Sequence, residues 1–292
     1  MKIPVRAKGA GWRGAVLGGL LSAEMALGAA AEPARLVSLA PNLTELVFAL
    51  GFGDALVGRS SVCDTPPDAL RIPVAGAFGR PNREALLTLR PDVVLVTDLE
   101  QPGWIARLRA EGMEVLQLPC EGWAELMAAA RAIGRAAGKP EAGEAWVAAQ
   151  EKRQAALADR VEQYWNGRVR PLVYLEVWGD PPTTAGGQTF LDEVITLAGG
   201  RNIAGDLPRR YTPVNSEWVI AKDPEAIVAA YMSGTNTAAF ERRPGWSAIR
   251  AVRDGRVCRS IPADWLLRPG PRLLDGAEAL ADWLMAEDVE RK

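Results

Sequence analysis

The chain has 292 residues, of which 48% are hydrophobic, enough for a sizeable core in one large domain or two small lobes. Histidine is absent, so the chain lacks the commonest neutral metal ligand and the usual general base. This absence disfavours zinc or manganese capture, histidine-ligated haem and Ser-His or Cys-His nucleophiles, and we predict no metal site. The formal net charge of −2 disfavours nucleic acid as a partner.

The first 31 residues have the layout of a secretory signal. Four basic residues come first: Lys2, Arg6, Lys8 and Arg13. An apolar run follows at 15–28, but it is short for a membrane span and Glu24 interrupts it. We predict cleavage after Ala31, which gives a soluble exported protein. Cleavage leaves 30 of the 34 basic and 35 of the 36 acidic residues, and so a net charge of −5.

Three cysteines, Cys63, Cys120 and Cys258, are scattered without the spacing of a metal site. Their odd number leaves at least one unpaired in an exported protein, or paired with another chain. One disulfide is compatible with the sequence, and its partners stay open.

Strand and helix patterns alternate through the first half of the chain. Strands are predicted at 35–39, 55–58, 92–96 and 114–118, and helices at 41–51, 103–111 and 122–137. Asn42 or Thr44 is the expected cap of the first helix, and Gly51 its end. This order is typical of a sheet with parallel strands.

The stretch from Lys139 to Trp165 is rich in Ala and Glu and contains no proline after Pro140. It predicts one helix, roughly 35 to 40 Å long at about 1.5 Å per residue. A buried-type strand at 171–176 restarts the α/β rhythm. We therefore predict an α/β protein with two α/β lobes joined by one long helix. The predicted parts are an N-terminal lobe (32–138), a connecting helix (139–167) and a C-terminal lobe (168–292).

A weak internal repeat relates the two lobes. The segments EALLTLRPDVVLV (84–96) and EWVIAKDPEAIVA (217–229) align without a gap. Asn82 and Asn215 precede the glutamates by two residues, and Phe78 and Tyr211 precede them by six. Such strand-to-helix loops cluster at the carboxyl ends of strands, where ligands bind. The simpler interpretations are helix-dipole compensation by the glutamates and packing beneath a loop by the aromatic rings.

A loop near the end of the chain, IPADWLLRPGPR (261–272), holds Asp264, Trp265 and Arg268 among three prolines. The prolines restrict the loop and lower the entropy lost on binding. An ion pair between Asp264 and Arg268 within the loop is the structural alternative to a binding role.

Together these motifs resemble the substrate-binding proteins of ABC importers of the cobalamin and ferric-siderophore type, from about Arg35 to about Asp288. The matching segments are RLVSLAPNLTE (35–45), PP (66–67), NRE (82–84), RPDVVL (90–95), GDPP (179–182), GGRN (199–202), VNSE (214–217) and DWLLR (264–268). Each motif alone is weak, whereas their order and spacing together are specific. In this family one long helix joins the lobes.

The resemblance implies that a corrinoid binds between the lobes as ligand, with no cofactor and no catalytic residue. It places six side chains around the ligand: Phe78, Trp178, Tyr211, Asp264, Trp265 and Arg268. The carboxylate and the guanidinium suit the neutral amides of a corrin ring. Val62 and Thr65 stand where the relatives carry tyrosines, which gives a smoother, less polar surface and leaves the particular corrinoid open.

The resemblance also implies a periplasmic monomer that meets an ABC permease dimer with its ATPase subunits. Glu84 and Glu217 match the glutamates with which each lobe docks onto one permease subunit. A two-fold permease dimer would meet such a pseudo-symmetric pair with the same basic patch on each subunit.

Two other functions stay open at this point. An anionic ferric siderophore would call for cleft arginines, and Arg80, Arg209, Arg210 and Arg268 are the candidates. An enzyme is disfavoured, because the chain has neither histidine nor a glycine-rich phosphate loop. Asp64 and Asp98 could form an acid/base pair, but both more simply end strands.

Overall fold

Two α/β lobes joined by one long helix make up the computed structural model, which describes residues 34–231 and 240–286. This architecture confirms the predicted fold class. The predicted signal segment lies outside the described residues. No helix in the described part of the chain is long and apolar enough to cross a membrane.

The N-terminal lobe is built on one sheet of six strands. They are β1 (Leu36–Ser38), β2 (Leu56–Ser60), β3 (Val74–Ala77), β4 (Arg80–Pro81), β5 (Val93–Val96) and β6 (Glu114–Gln117). Their order is β4-β3-β2-β1-β5-β6, parallel except for the β3–β4 pair. The helices are α1 (Pro41–Ala49), α2 (Arg83–Leu89), α3 (Pro102–Ala110) and α4 (Trp123–Ala136), with 3-10 turns at Gly53–Ala55 and Pro67–Arg71.

Strand β5 shows why this sheet lies at the centre of its lobe. All four of its residues are buried, as expected for a parallel strand covered on both faces. Val93 and Leu95 belong to the apolar cluster on one face, and Val94 and Val96 to the cluster on the other. The uninterrupted apolar run therefore serves two layers of helices.

The C-terminal lobe has its own mixed sheet. Its strands are β7 (Leu172–Gly179), β8 (Pro182–Ala185), β9 (Arg201–Asn202), β10 (Tyr211–Pro213), β11 (Ala226–Ala229) and β12 (Val257–Cys258). Their order is β10-β8-β7-β11-β12, with β9 also beside β7, and β8 antiparallel to both of its neighbours. The helices after the connecting helix α5 (Pro140–Trp165) are α6 (Phe190–Leu197), α7 (Ser216–Lys222), α8 (Arg250–Arg253), α9 (Ala263–Leu267) and α10 (Leu273–Ala286), with 3-10 turns at Phe240–Arg242 and Trp246–Ala248.

Helix α5 is fastened to both lobes. Against α4 it packs so closely that a Cβ atom at Gly143 would lie 2.8 Å from the Ala130 carbonyl oxygen. Against α10 it forms ion pairs, including Arg153 with Asp275 at 2.8 Å and with Glu278 at 2.7 Å. The connection between the lobes is therefore a packed helix with contacts along its length.

The internal repeat recurs in the geometry of α2 and α7. The Asn82 side chain accepts a hydrogen bond from the Ala85 N–H at 3.1 Å, and that of Asn215 from the Trp218 N–H at 2.8 Å. Both helices end at a left-handed residue, Arg90 with φ 45° and Asp223 with φ 44°. A proline follows each of these ends, so the two units share start, length and stop.

The expected cap of α1 is wrong. The helix begins after Ala40 with Pro41 in its first turn, and no side chain caps it. A proline at this position needs no partner for a backbone N–H and is already set for the helix. Asn42 and Thr44 instead lie within the helix and are buried.

Replacement of Asn82 or Asn215 by Ala should each lower the free energy of unfolding by about 1 kcal/mol, because one backbone N–H loses its cap. Chemical denaturation followed by circular dichroism measures this loss. Asn166→Ala is the control, since this exposed residue ends α5 and forms no such cap. An equal loss in the control would contradict the capping role.

Candidate ligand-binding cleft

A cavity of about 380 Å³ lies between the two lobes. The N-terminal lobe lines it with nine residues: Pro41, Asn42, Val62, Phe78, Thr97, Asp98, Leu99, Cys120 and Glu121. Among the described residues of the C-terminal lobe, one short segment contributes: Leu267, Arg268 and Pro269. Most of the N-terminal lining follows the carboxyl ends of parallel strands β1, β2, β5 and β6. That edge of the sheet is where α/β folds bind ligands.

Arg268 lines the cavity, and its guanidinium is paired with carboxylates. Its Nη1 atom lies 2.6 Å from Asp64 Oδ1 and 3.3 Å from Glu45 Oε1, both in the N-terminal lobe. The ion pair with Asp264 that was the structural alternative is also present, at 3.6 Å. The Arg268 guanidinium lowers the pKa of Asp64 through its hydrogen bond, against the opposing effect of partial burial.

Arg272 completes the same group of charges. Its guanidinium holds both oxygens of Glu45, at 2.8 and 2.7 Å, in a bidentate pair. It also lies 3.7 Å from Asp264. We call Glu45, Asp64, Asp264, Arg268 and Arg272 the interlobe cluster. Three carboxylates and two guanidiniums give it a formal charge of −1.

A second ion pair joins the lobes at another edge of the cavity. Arg210 Nη2 lies 2.7 Å from Glu121 Oε2. Burial raises the pKa of Glu121, Arg210 opposes this rise, and Asp98 adds to it. Burial, reinforced by Glu121, raises the pKa of Tyr211 to about 12, so the phenol stays neutral at physiological pH.

The structure separates the six predicted ligand residues. Phe78, with 41% of its surface exposed, and Arg268 line the cavity. Tyr211 is equally exposed on β10, where the charge of Glu121 reaches it. Trp178 is 58% exposed at the end of β7, and its indole N–H donates to the Asp180 carbonyl at 2.7 Å.

Asp264 and Trp265 do not belong to the cavity lining. Asp264 faces the two arginines of the interlobe cluster. Trp265 is half-buried and packs against the core of the C-terminal lobe. Both residues lie in the short helix α9, which directs the tryptophan toward its own lobe.

Several residues at the cavity are absent from the six predicted ligand residues. Asn42, Asp98 and Glu121 line it. Asp98 lies two residues after one predicted strand and Glu121 three residues after another, and acidic residues so close to the carboxyl ends of strands could have been predicted to line the site. Glu45 and Arg272 are separated by 227 residues in the chain, so no local pattern pairs them.

Glu100 is buried next to the cavity. Its side chain is 3% exposed, and one carboxylate oxygen accepts the Gly79 N–H at 3.2 Å. The other oxygen has no hydrogen-bond partner among the described residues. Burial therefore raises the pKa of Glu100, and the Gly79 N–H only partly opposes the rise.

All three cysteines are free and buried. Cys120 lines the cavity, and burial, reinforced by Asp98, raises the pKa of its thiol to about 12. Cys63 accepts a hydrogen bond from the Thr44 hydroxyl at 3.0 Å in the N-terminal lobe. Cys258 belongs to the core of the C-terminal lobe. The disulfide left open by the sequence does not form.

The C-terminal lobe contains a second buried charge pair away from the cavity lining. Glu176 is fully buried and binds both terminal nitrogens of Arg243, at 2.7 and 2.6 Å. The hydroxyls of Tyr174 and Tyr231 donate to the same carboxylate. Both oxygens of this carboxylate are partnered, and the Tyr231 hydroxyl links it to the segment that follows β11.

Glu84 and Glu217 occupy equivalent positions in the first turns of α2 and α7. Both side chains are exposed. Neither forms an ion pair within the described part of the chain. The two carboxylates are therefore free to meet another molecule, one from each lobe.

Known proteins are similar to this chain in both sequence and fold. Residues 36–262 match the family model described as periplasmic binding protein. The vitamin B12-binding protein of Vibrio cholerae is 33% identical over 254 residues, which cover 86% of this chain and 88% of that protein.

Two solved structures have comparable likeness. The periplasmic vitamin B12-binding protein of Vibrio cholerae superposes with a TM-score of 0.75 at 29% identity, over 88% of this chain and 98% of that one. A periplasmic heme-binding protein from Pseudomonas aeruginosa superposes with a TM-score of 0.76 at 30% identity, over 87% of this chain and 93% of that one.

Two lobes, a connecting helix and a cleft at the strand ends define a substrate-binding protein of the ABC importer class. The chain belongs to the periplasmic binding protein family. Proteins of this class work outside the cytoplasm, together with a membrane permease and its ATPase.

Glu100→Gln tests the buried carboxylate. Because the folded state raises the pKa of Glu100, the ionised side chain costs stability above that pKa. The cost begins at about pH 4, near the pKa of glutamate in the unfolded chain, and it is absent well below that pH, where folded and unfolded chains are both protonated. The stability of the Gln variant relative to wild type should therefore rise from about pH 4 to about pH 7.

Urea denaturation at a series of pH values measures this difference. Glu114→Gln, at an exposed position on β6, is the control and should give no such slope. A difference for Glu100→Gln that does not change with pH would show that the carboxylate carries no burial cost.

Proposed function

We propose that the protein captures a corrinoid in the cleft between its lobes and delivers it to an ABC importer. The observation that carries this proposal is the charge of the cavity. The wall formed by the described residues is mainly apolar, and the one guanidinium in it, that of Arg268, is already surrounded by carboxylates. Such a wall suits a large, flat ligand whose rim is neutral.

The polar groups at the cavity fit amide side chains. Asp98 is exposed on the wall and has no ion-pair partner among the described residues, so it can accept hydrogen bonds from ligand NH2 groups. The interlobe cluster has a formal charge of −1 and offers no surplus cation. A ligand with neutral amides would therefore be favoured over a polyanion.

The relatives support the same ligand class. The vitamin B12-binding protein of Vibrio cholerae shares 33% of its residues with this chain over most of both lengths. The comparable likeness to a heme-binding protein makes haem the second candidate. Haem carries two propionates, and the carboxylates at the cavity oppose their charge.

A ferric siderophore is less favoured for the same electrostatic reason. Of the four arginines expected for such a ligand, Arg210 pairs with Glu121 and Arg268 with Asp64. Arg80 and Arg209 are exposed but do not line the cavity. An anionic chelate in the cavity would meet carboxylates without a matching free cation.

Titration calorimetry with cyanocobalamin, hemin and a ferric siderophore tests this proposal directly. Cyanocobalamin should bind with one site per chain and more tightly than the other two. Phe78→Ala should weaken its binding about tenfold, because the half-exposed ring contributes about 1 to 2 kcal/mol when a ligand covers it. Tighter binding of hemin or of the siderophore would reject the corrinoid.

Trp178→Ala is the matched control, since this exposed aromatic side chain does not line the cavity. It should leave the affinity within about twofold of wild type. An equal loss in both variants would place the ligand outside the cavity described here.

Delivery requires a contact with the permease, and we propose that Glu84 and Glu217 provide it. Each glutamate is exposed on an equivalent helix of its own lobe. This repeated placement suits a permease dimer with one basic patch on each subunit. Dipole compensation alone would predict only a small effect on stability.

The double variant Glu84→Ala with Glu217→Ala should bind corrinoid normally but lose most uptake in cells and bind the cognate permease more weakly. Added salt should weaken the wild-type complex, because exposed charges are screened. Glu114→Ala with Asp159→Ala, two other exposed acids, is the control for net charge. Full uptake by the Glu84→Ala, Glu217→Ala variant would rule out the docking role and leave only compensation of the helix dipole.

A further inference from the structure

The segment that forms the C-terminal wall of the cavity is held by the opposite lobe. Arg268 reaches Asp64, Arg272 reaches Glu45, and the Asn42 amide donates to the Pro269 carbonyl at 3.1 Å. These three contacts fall within five consecutive residues, 268–272. The position of this wall is therefore set by the N-terminal lobe as much as by its own.

Glu45 is the most buried carboxylate in this group. Its side chain is 4% exposed, whereas the side chains of Asp64 and Asp264 are 53% and 34% exposed. Solvent screens the two exposed carboxylates, and such pairs contribute little. A buried carboxylate that binds two arginines is different, because its loss leaves guanidiniums without their partner inside the protein.

We infer that Glu45 is a positioning residue for the ligand cleft, which fixes the distance between the two walls by binding Arg272 and Arg268 across the lobes. Glu45 does not line the cavity and acts through the arginines. Its effect on ligand affinity rests on the proposed corrinoid function, whereas its effect on the geometry of the cleft does not.

The native cysteines provide a test without ligand. Cys120 lies in the cavity wall and is 3% exposed, while Cys258 is 1% exposed in the core of the C-terminal lobe. If Glu45 holds the walls together, Glu45→Gln should let the wall at 267–269 move away and expose Cys120. Cys258 should stay protected, because neither lobe unfolds.

The experiment labels the full-length protein with N-ethylmaleimide and follows each cysteine by mass spectrometry. Glu45→Gln should raise the labelling rate of Cys120 about tenfold, as expected for a local opening, and leave Cys258 unchanged. Arg272→Gln should give a similar rise, and the double variant no larger one, because both changes remove the same pair. Glu278→Gln, which removes a pair between α10 and α5, is the control and should label like wild type.

Two results would overturn the inference. One is an unchanged labelling rate of Cys120 in Glu45→Gln. The other is a joint rise for Cys120 and Cys258, which would indicate general loss of stability instead of a moved wall.

Cyanocobalamin binding then separates this inference from the proposed function. Glu45→Gln should weaken binding about tenfold, mainly through faster dissociation, because the open cleft holds the ligand less firmly. If wild type does not bind cyanocobalamin but Cys120 still becomes reactive in the variant, the corrinoid proposal fails and the positioning role stands. If Glu45→Gln exposes Cys120 but binds cyanocobalamin as tightly as wild type, Glu45 sets only the geometry of the empty cleft. That result would overturn its predicted effect on ligand affinity.

Discussion

The buried carboxylate of Glu45 is the point on which the arrangement of the two lobes depends. It is nearly inaccessible to solvent and accepts a bidentate pair from Arg272, with Arg268 close by. A charge in such a place is tolerated only when its partners are in position, so the contact exists for one relative placement of the lobes. The cavity wall at 267–269 contains Arg268 and lies three residues before Arg272 in the chain, so its geometry follows from the same contact.

The repeat explains how one fold places an exposed glutamate at an equivalent position in each lobe. In each lobe an asparagine starts a seven-residue helix, a left-handed residue ends it, and a buried strand follows. The glutamates therefore reach equivalent surface positions without any contact between them. The aromatic residues of the repeat are less equivalent, since Phe78 lines the cavity and Tyr211 does not. The equivalence of the two lobes is thus kept at the helices of the repeat and is lost at the aromatic residues that precede them.

Local patterns were enough for the fold class and for part of its elements. The buried run of β5, the long helix α5 and the asparagine caps of α2 and α7 all depend on residues that are close in the chain. The site depends on distant residues instead. The sequence could indicate that loop 261–272 is stiff and charged, but not that Arg272 would meet Glu45 or that Trp265 would turn into its own lobe. The Arg272–Glu45 contact and the orientation of Trp265 depend on packing between elements that are distant in the sequence, so no local pattern predicts them.

The connecting helix sets a limit on how the importer can recognise a loaded protein. Gly143 seats α5 against α4 without room for a side chain, and Arg153 ties it to α10 at two carboxylates. A helix packed against both lobes restricts large changes in the distance between Glu84 and Glu217. An importer that recognised only this distance would not distinguish the ligand-bound protein from the empty one. For such an importer, the signal that ligand is bound would have to come from the ligand itself, at the rim of the cleft.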